Sequence, residues 1–448
     1  MRIVVAGAGD LGTFLIAQLS AERHELSVID KSAEKLERLA QKHDVATFRG
    51  NALSYDNLME VGAAKADLFV SVTESEELNL MTAILAKRVG AKRVIARVRH
   101  SKLILHDDVF DFAGLGIDEI VSPDSLAADE VAMLLDTQAF SQLVKFEHGK
   151  YFLAGLIVPA YSTLTGHTLQ QIARKYRAAG VEPIALVRDG MTYHASERLP
   201  LKETDHLYFI ASSGGLHKMA KVQSGQTRRR KRAMVFGGSR AGIETTRRLQ
   251  AKGYQVTMVE GKKSVAEELA DFLPEALVIH GDMQESGFLE EHDVDEMDAI
   301  VAATGNPELN IISCLIAKQH GVRHTIAFVK DVHYLQGAYE LGVDTLINKK
   351  YIAADFIFRH VKKRNVLSVA SIPGLDMEIF EFLVKDRSPI TGMPQKSIEL
   401  IAKSEVVIGG VLRKNKPVEL DPSYIFQPND RVIVACHNAV RDAFQNML

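Results

Sequence analysis

The chain has 448 residues, more than the ~250–300 at which one hydrophobic core stops growing, so about three domains of roughly 150 residues are expected. With 46% hydrophobic and 25% charged residues, and 31 Gly against 12 Pro, it falls outside the disordered, collagen-like and coiled-coil classes. Lys and Arg total 54 against 57 Asp and Glu, a net charge of −3, so no global basic field exists for nucleic acid and any anion must be captured locally.

Chain order shows an alternation. Ile3–Ala6, Leu26–Ile29, Val45–Phe48, Leu68–Val72, Val94–Val98 and Ile117–Val121 read as short apolar strands. Leu11–Leu19, Ala33–Lys42 and Glu77–Val89 between them space apolar residues by three and four, as helices do. Repeated βα units predict a parallel, doubly wound sheet. From about residue 140 the texture becomes short strands with Gly-bearing turns such as Arg188-Asp189-Gly190 and one helix near Leu169–Ala178, which predicts a small α+β domain. Gln223–Thr227 and the run Arg228-Arg229-Arg230-Lys231-Arg232 then read as a joint. Five cations could meet phosphate or an anionic membrane; a solvated linker is the simpler account, because no aromatic residue interleaves them.

The order then starts again. Gly7-Ala8-Gly9-Asp10-Leu11-Gly12 returns as Gly237-Gly238-Ser239-Arg240-Ala241-Gly242, Asp30 as Glu260, Gly50-Asn51 as Gly281-Asp282, and Glu77-Leu78-Asn79 as Glu308-Leu309-Asn310. Further along, Leu164-Thr165-Gly166 matches Ile390-Thr391-Gly392, Arg188 matches Arg413 and Asp205 matches Asp430. Such persistence of one spacing marks a duplication. The expected fold class is α/β: two doubly wound Rossmann domains (1–125 and 233–352), each followed by a small α+β domain (140–222 and 366–448), with a basic linker at 223–232.

The first glycine motif has the context that a bare GxGxxG lacks. A strand precedes it, a helix begins near Asp10, and Asp30 closes the second strand. Gly7 permits the tight turn, Gly9 lets backbone approach a pyrophosphate, and Gly12 allows close helix–strand packing; Ala8, Asp10 and Leu11 complete the loop whose N–H groups face the phosphate. Asp30 is placed to accept from ribose hydroxyls and to repel a 2′-phosphate, favouring NAD over NADP. Thr73, closing the fourth strand, is placed across the switch point, and Asn51-Ala52, after the third strand, near the adenine edge; caps and turns are the competing account of Thr73 and Asn51. Arg97 and Arg99 either reach phosphate or pair with nearby acids. In the second motif, Ser239 replaces the middle glycine and Arg240 follows it, while Gly237 and Glu260 are kept, so nucleotide binding there is expected to be weaker or of another preference.

Chemistry is harder to find than binding. Hydride transfer needs a proton donor or acceptor beside the nicotinamide, and neither small domain offers a His/Asp or Lys/Asp pair. Cys314 and Cys436 cannot build a disulfide framework, read as buried small hydrophobes and fit a reducing compartment. No run approaches the ~18 apolar residues of a spanning helix, and Met1–Gly7 is too short for a secretory signal, so a cytoplasmic chain is expected. A duplicated nucleotide site without catalytic groups points to ligand sensing, with an NAD-dependent oxidoreductase using the first Rossmann domain as the alternative.

The glycine turn, Asp30, Gly50-Asn51, Thr73 through Asn79, Arg97-Val98-Arg99 and, later, Leu164-Thr165-Gly166 through Asp205-His206-Leu207-Tyr208, all repeated, resemble the KTN/RCK family, the regulators of K⁺ conductance. The resemblance spans essentially the whole chain. It implies a non-enzymatic, peripheral regulatory subunit on the inner face of the cell membrane, bound to an integral-membrane Trk-type potassium-translocating subunit (TrkH/TrkG-like), with NAD(H) and ATP or ADP as regulatory ligands. It also implies that Gly7, Gly9, Gly12 and Asp30 form the dinucleotide fingerprint and that Thr73 and Arg99 line the crevice. Rings in that family hold eight N/C domain pairs, so four copies of this tandem chain would complete one.

Overall fold

The structure is a computed structural model that describes the chain except residues 21–23, 100–110, 138–139, 160–161, 196, 224–230, 284, 286, 331–337, 339–340, 359, 362–365, 373–374, 402–404, 438 and 441–448. Six strands, β1 (Arg2–Ala6), β2 (Glu25–Asp30), β3 (Ala46–Arg49), β4 (Leu68–Ser71), β5 (Val94–Arg97) and β6 (Glu119–Val121), form a sheet in the order β3-β2-β1-β4-β5-β6. Every pair is parallel. Four of the five residues of β1 and all four of β4 are buried, as parallel strands covered on both faces require. The order reverses between β1 and β4, opening a crevice at their carboxyl ends.

Helices α1 (Asp10–Ser20) and α2 (Ala33–Lys42) cover one face, where Leu11, Leu15, Ile16, Leu36 and Leu39 meet Ile3, Val5, Leu68, Val70 and Ile95. Helices α3 (Tyr55–Glu60) and α4 (Glu76–Val89) cover the other, where Leu58, Ala83 and Ala86 meet Val4, Ala6, Phe69 and Val94. Ser32, Ser54 and Ser75 cap α2, α3 and α4 by accepting from backbone N–H groups of the first turn. Helix α5 (Pro123–Thr137) follows, in a stretch that the sequence reading left between domains.

The first small domain is an antiparallel sheet of β7 (Gln142–Phe146), β8 (Tyr151–Ile157), β9 (Val181–Arg188), β10 (Met191–His194) and β11 (His206–Ser212), in the order β10-β9-β11-β8-β7. Where one helix was expected near Leu169–Ala178, there are two, α6 (Leu169–Tyr176) and α7 (Ser213–Gln223). The second was missed because Ser213-Gly214-Gly215 opens it with residues of poor helix propensity.

The duplication is evident in three dimensions. Strands β12 (Arg232–Phe236), β13 (Gln255–Glu260), β14 (Leu277–His280), β15 (Ala299–Ala302), β16 (His324–Phe328) and β17 (Thr345–Ile347) form a second parallel sheet, β14-β13-β12-β15-β16-β17. Helices α8 (Arg240–Ala251), α9 (Lys263–Phe272), α10 (Phe288–Glu291) and α11 (Pro307–Gln319) accompany it, and α12 (Lys349–Phe358) follows β17. A second small sheet runs β18-β19-β22-β20-β21, from β18 (Val366–Ser371), β19 (Met377–Leu383), β20 (Val406–Arg413), β21 (Lys416–Pro417) and β22 (Arg431–His437), with α13 at Gln395–Ile401. Its strand order is that of the first small sheet.

Compactness does not follow the sequence halves. One unit contains residues 1–127 together with 348–361; the other contains 128–347 and 362–448. Within the first, Ala353, Ala354, Ile357 and Val361 of the α12 segment are buried in the same cluster as Leu11 and Leu15, and Phe14 meets Tyr351 edge-on at 4.5 Å. Within the second, α5 lies against α8, where Arg248 donates to Asp129, Lys252 pairs with Asp136 at 3.0 Å, and the Tyr254 hydroxyl donates to Leu135 O at 2.8 Å. The small sheets of that unit share one apolar seam containing Tyr151, Leu153 and Ile210 with Ile379, Leu412 and Ile433. A Cβ on Gly409 would lie 2.2 Å from Ile210 and one on Gly410 2.5 Å from Tyr151, so the close approach depends on both glycines. Of the basic run, Arg232 pairs with Glu296 and Lys231 donates to Lys252 O at 2.8 Å, while 228–230 lie outside the described residues.

Burial holds the imidazoles of His194, His206, His324 and His360 below their ordinary value near 6.5. These rings are neutral in the fold but take up protons in the unfolded chain once the pH falls below that value. Stability gained above about pH 6.5 is therefore lost as pH falls toward the depressed folded values. The urea midpoint is expected to be lower at about pH 5.5 than at about pH 7.5, and His324→Gln to show a smaller drop.

Candidate functional site

At the carboxyl end of β1 the chain turns through Gly7, whose φ of +112° suits glycine. A Cβ there would lie 2.9 Å from the Thr73 nitrogen, and one on Gly12 would lie 1.9 Å from the Gly7 carbonyl oxygen. Both glycines are thus demanded by backbone packing: Gly7 against the end of β4, Gly12 against the turn. Gly9 differs. A Cβ there would meet nothing within 4 Å, so this position faces open space and its lack of a side chain keeps a cradle clear at the start of α1.

Asp30 clamps the cradle. Its Oδ2 accepts from Ala8 N–H at 2.7 Å and its Oδ1 from Ser32 N–H at 2.8 Å, so the carboxylate joins the β1 turn to the cap of α2. A carboxylate has about four acceptor positions, so two bonds leave capacity for hydroxyl donors. The sequence pattern suggested the ribose role; the backbone clamp needs the structure. Asn51 Oδ1 accepts from Leu53 N–H at 3.2 Å, and Ala52 is buried beside it. Asn51 therefore closes its own turn, the competing account of that residue.

Thr73 is positioned by Asn79, a residue the sequence reading saw only as part of the repeat. Asn79 Oδ1 accepts from Thr73 N–H at 2.7 Å and from its hydroxyl at 2.6 Å, while Nδ2 donates to Thr73 O at 3.1 Å and Arg97 O at 2.9 Å. One buried amide thus pins the ends of β4 and β5 together. Beside it, the Arg97 Nε is buried with no hydrogen-bond partner. Burial and the neighbouring Arg99 charge pull the Arg97 pKa below its ordinary value, against opposing pulls from Asp124, Glu74 and Asp10. Arg99 is half-buried and its N–H donates to Glu76 Oε2 at 2.9 Å.

The second turn keeps the frame and changes the cradle. Gly237 has φ +96°, a Cβ on Gly242 would lie 2.1 Å from Gly237 O, and Glu260 accepts from Gly238 N–H at 2.7 Å and Lys262 N–H at 2.9 Å. Asn310 holds Thr304 as Asn79 holds Thr73. Ser239, however, caps α8: its Oγ accepts from Gly242 N–H at 3.2 Å and donates to Ala303 O. The hydroxyl satisfies one of the helix-start donors that a phosphate would otherwise use. Arg240 takes the first helical position.

Elsewhere, Cys314 and Cys436 are buried, and burial raises the Cys314 thiol pKa. Among the described residues no group of three His, Cys, Asp or Glu is arranged to hold a metal, and no helix is long and apolar enough to cross a membrane.

The TrkA-N domain matches residues 3–123 and again 233–349, and the TrkA-C domain matches 379–448. The chain belongs to the TrkA family. The Haemophilus influenzae Trk system potassium uptake protein TrkA is 25% identical over 439 residues, covering 97% of this chain and 95% of that one. The fold is also that of the GsuK channel bound to NAD (TM-score 0.62, 16% identity, 100% of this chain and 78% of that one) and, less closely, of GsuK bound to ADP (TM-score 0.50, 12% identity, 81% and 69%). The TrkA-C match falls on the second small domain, yet the first has the same strand order and an equivalent buried ion pair, Arg188–Asp205 for Arg413–Asp430. The TrkA-family tandem is thus complete in topology.

Two substitutions separate packing from binding at the first turn. Gly12→Ala drives a Cβ into the Gly7 carbonyl and is expected to cost about 3 kcal/mol in urea denaturation, whereas Gly9→Ala should change stability by less than about 1 kcal/mol. Asn79→Ala strands the backbone groups of Thr73 and Arg97 and is expected to cost about 3 kcal/mol by the same measurement.

Proposed function

We propose that the chain is a non-catalytic regulatory subunit of a Trk-type potassium uptake system, which binds NAD(H) and adenine nucleotides at the first Rossmann turn. The observation that carries the reading is the cradle left open at Gly9, with the Asp30 clamp on one side and the Arg97 and Arg99 charges near the other. The residues fit the ligand. Backbone N–H groups at the start of α1 would take the phosphates, Asp30 would accept from ribose hydroxyls with its remaining lone pairs, and Thr73 would face the crevice, held by Asn79. Ala8 belongs to the same turn, and Asp10 and Leu11 open α1 beside it. Asn51, Ala52 and Arg99 border it in this reading, and Gly237, Ser239, Arg240 and Glu260 form a second site with a reduced phosphate cradle.

The chain's part is to sense rather than to react. Ligand free energy is passed on only as far as the ligand prefers one arrangement of the domains, and couplings of this kind are typically about 1–3 kcal/mol. The receiver in this reading is an integral-membrane potassium-translocating subunit of the TrkH/TrkG kind, which this chain would meet from the cytoplasmic face as a tetramer of tandem repeats.

Asp30→Asn removes one charged acceptor and is expected to weaken NAD(H) about tenfold in calorimetry, with Gly9→Ala weakening NAD(H) and ADP together. Potassium flux through vesicles carrying the membrane subunit should lose its response to nucleotide in both variants. Unchanged affinity in both variants overturns the site, and steady turnover of NADH with a small-molecule substrate overturns the non-catalytic reading.

A further inference from the structure

The first unit contains a charged contact that the glycine motif does not explain. Helix α12 comes from the second half of the chain, after β17, yet its first residues stand at the first-half turn: Lys350 Nζ lies 3.4 Å from Asp10 Oδ2, and Lys349 Nζ lies 2.6 Å from Asp124 Oδ1. Asp10 opens α1 directly after the Gly9 cradle and is largely exposed. Its carboxylate suits the positive end of the helix but repels a phosphate entering the same place. Lys350 offsets that repulsion. The helix start it rides on is anchored by the Phe14–Tyr351 contact and by Ala353, Ala354 and Ile357 in the sheet core, so the ammonium is held at the turn by packing. On the β5 side, Arg97 has its buried Nε without a partner, and Asp10, Asp124 and Glu74 are the acids whose charges reach it.

Lys349, Lys350 and Arg97 thus stand around the turn, each lysine paired with an acid. In NAD both phosphates are bridging and carry one charge each, and backbone N–H groups at the helix start suffice for them. A nucleotide that ends in phosphate brings at least one further charge with nothing beyond it, and that charge requires a cation at the rim of the cradle. We propose that Lys350, delivered by the second half of the chain, selects for nucleotides with a terminal phosphate at the first site, by exchanging its pairing with Asp10 for pairing with that phosphate. This rests on the reading of the first turn as a nucleotide site. Occupancy by such a ligand then acts directly on α12, and through its chain connection to β17 on the second half; a dinucleotide leaves the Lys350–Asp10 pair in place.

The test is calorimetry on the full chain with NADH, ADP and ATP as probes. Lys350→Gln is expected to weaken ADP and ATP about tenfold and to leave NADH within about twofold, with the salt dependence of ADP binding reduced. Asp10→Asn, at an exposed position where folding is not at stake, is expected to tighten ADP and ATP several-fold, because it removes both the competing partner and the repulsion. Equal losses for NADH and ADP in Lys350→Gln, or no loss for either, overturn the inference while leaving the site standing. Failure of the unsubstituted chain to bind any of the three overturns the underlying reading instead.

Discussion

The carbonyl of Gly7 sits where any side chain at residue 12 would have to be, with 1.9 Å between them. That contact brings the start of α1 against the end of β1, so the helix points its free N–H groups into the crevice and not past it. The same turn leans on Thr73 through Gly7, and Thr73 is tied to β5 through Asn79. Three parallel strands therefore end in register around one cradle, and Asp30 ties in the fourth by accepting from Ala8 N–H. The second half repeats the arrangement with Gly242, Thr304, Asn310 and Glu260. The frame is a packing solution that stands without any ligand.

Duplication lets the frame and the cradle diverge. Both turns need glycine at the first and last motif positions for steric reasons that no ligand changes. The middle position is free of that demand: Gly9 faces open space, and Ser239 in its place folds without distortion by capping its own helix. A middle-position substitution is therefore tolerated at little cost in stability. The two turns of one chain can differ at this position while remaining alike in shape.

The organisation into units adds a constraint on regulation. Helix α12 completes the core of the first sheet although it is encoded after the second, and α5 packs on α8 although it is encoded after the first sheet. The first Rossmann sheet is therefore not covered by its own half alone. The two small sheets likewise share an apolar seam that admits them only because Gly409 and Gly410 lack side chains. A change at one turn is thus mechanically adjacent to elements of the other half.

The strands, the two glycine turns, the acid at the end of β2 and the duplication were all legible from residues alone, because each depends on local periodicity or on a short motif with a steric cause. Helix α7 was not, since its Gly-rich opening argues against a helix and tertiary packing overrides that. Asn79 and Asn310 could have been found from their place six residues after Thr73 and Thr304, but an asparagine inside an amphipathic helix says nothing of three backbone partners and a hydroxyl. Nor could sequence place Lys350 beside Asp10, which lies 340 residues earlier in the chain. By itself the sequence determined what each half must fold into and where the two glycine turns lie. Which helices close which sheet, and which charges surround the first glycine turn, were decided only by the tertiary structure, because burial of an apolar helix face is satisfied by any sheet within reach and carries no memory of chain order.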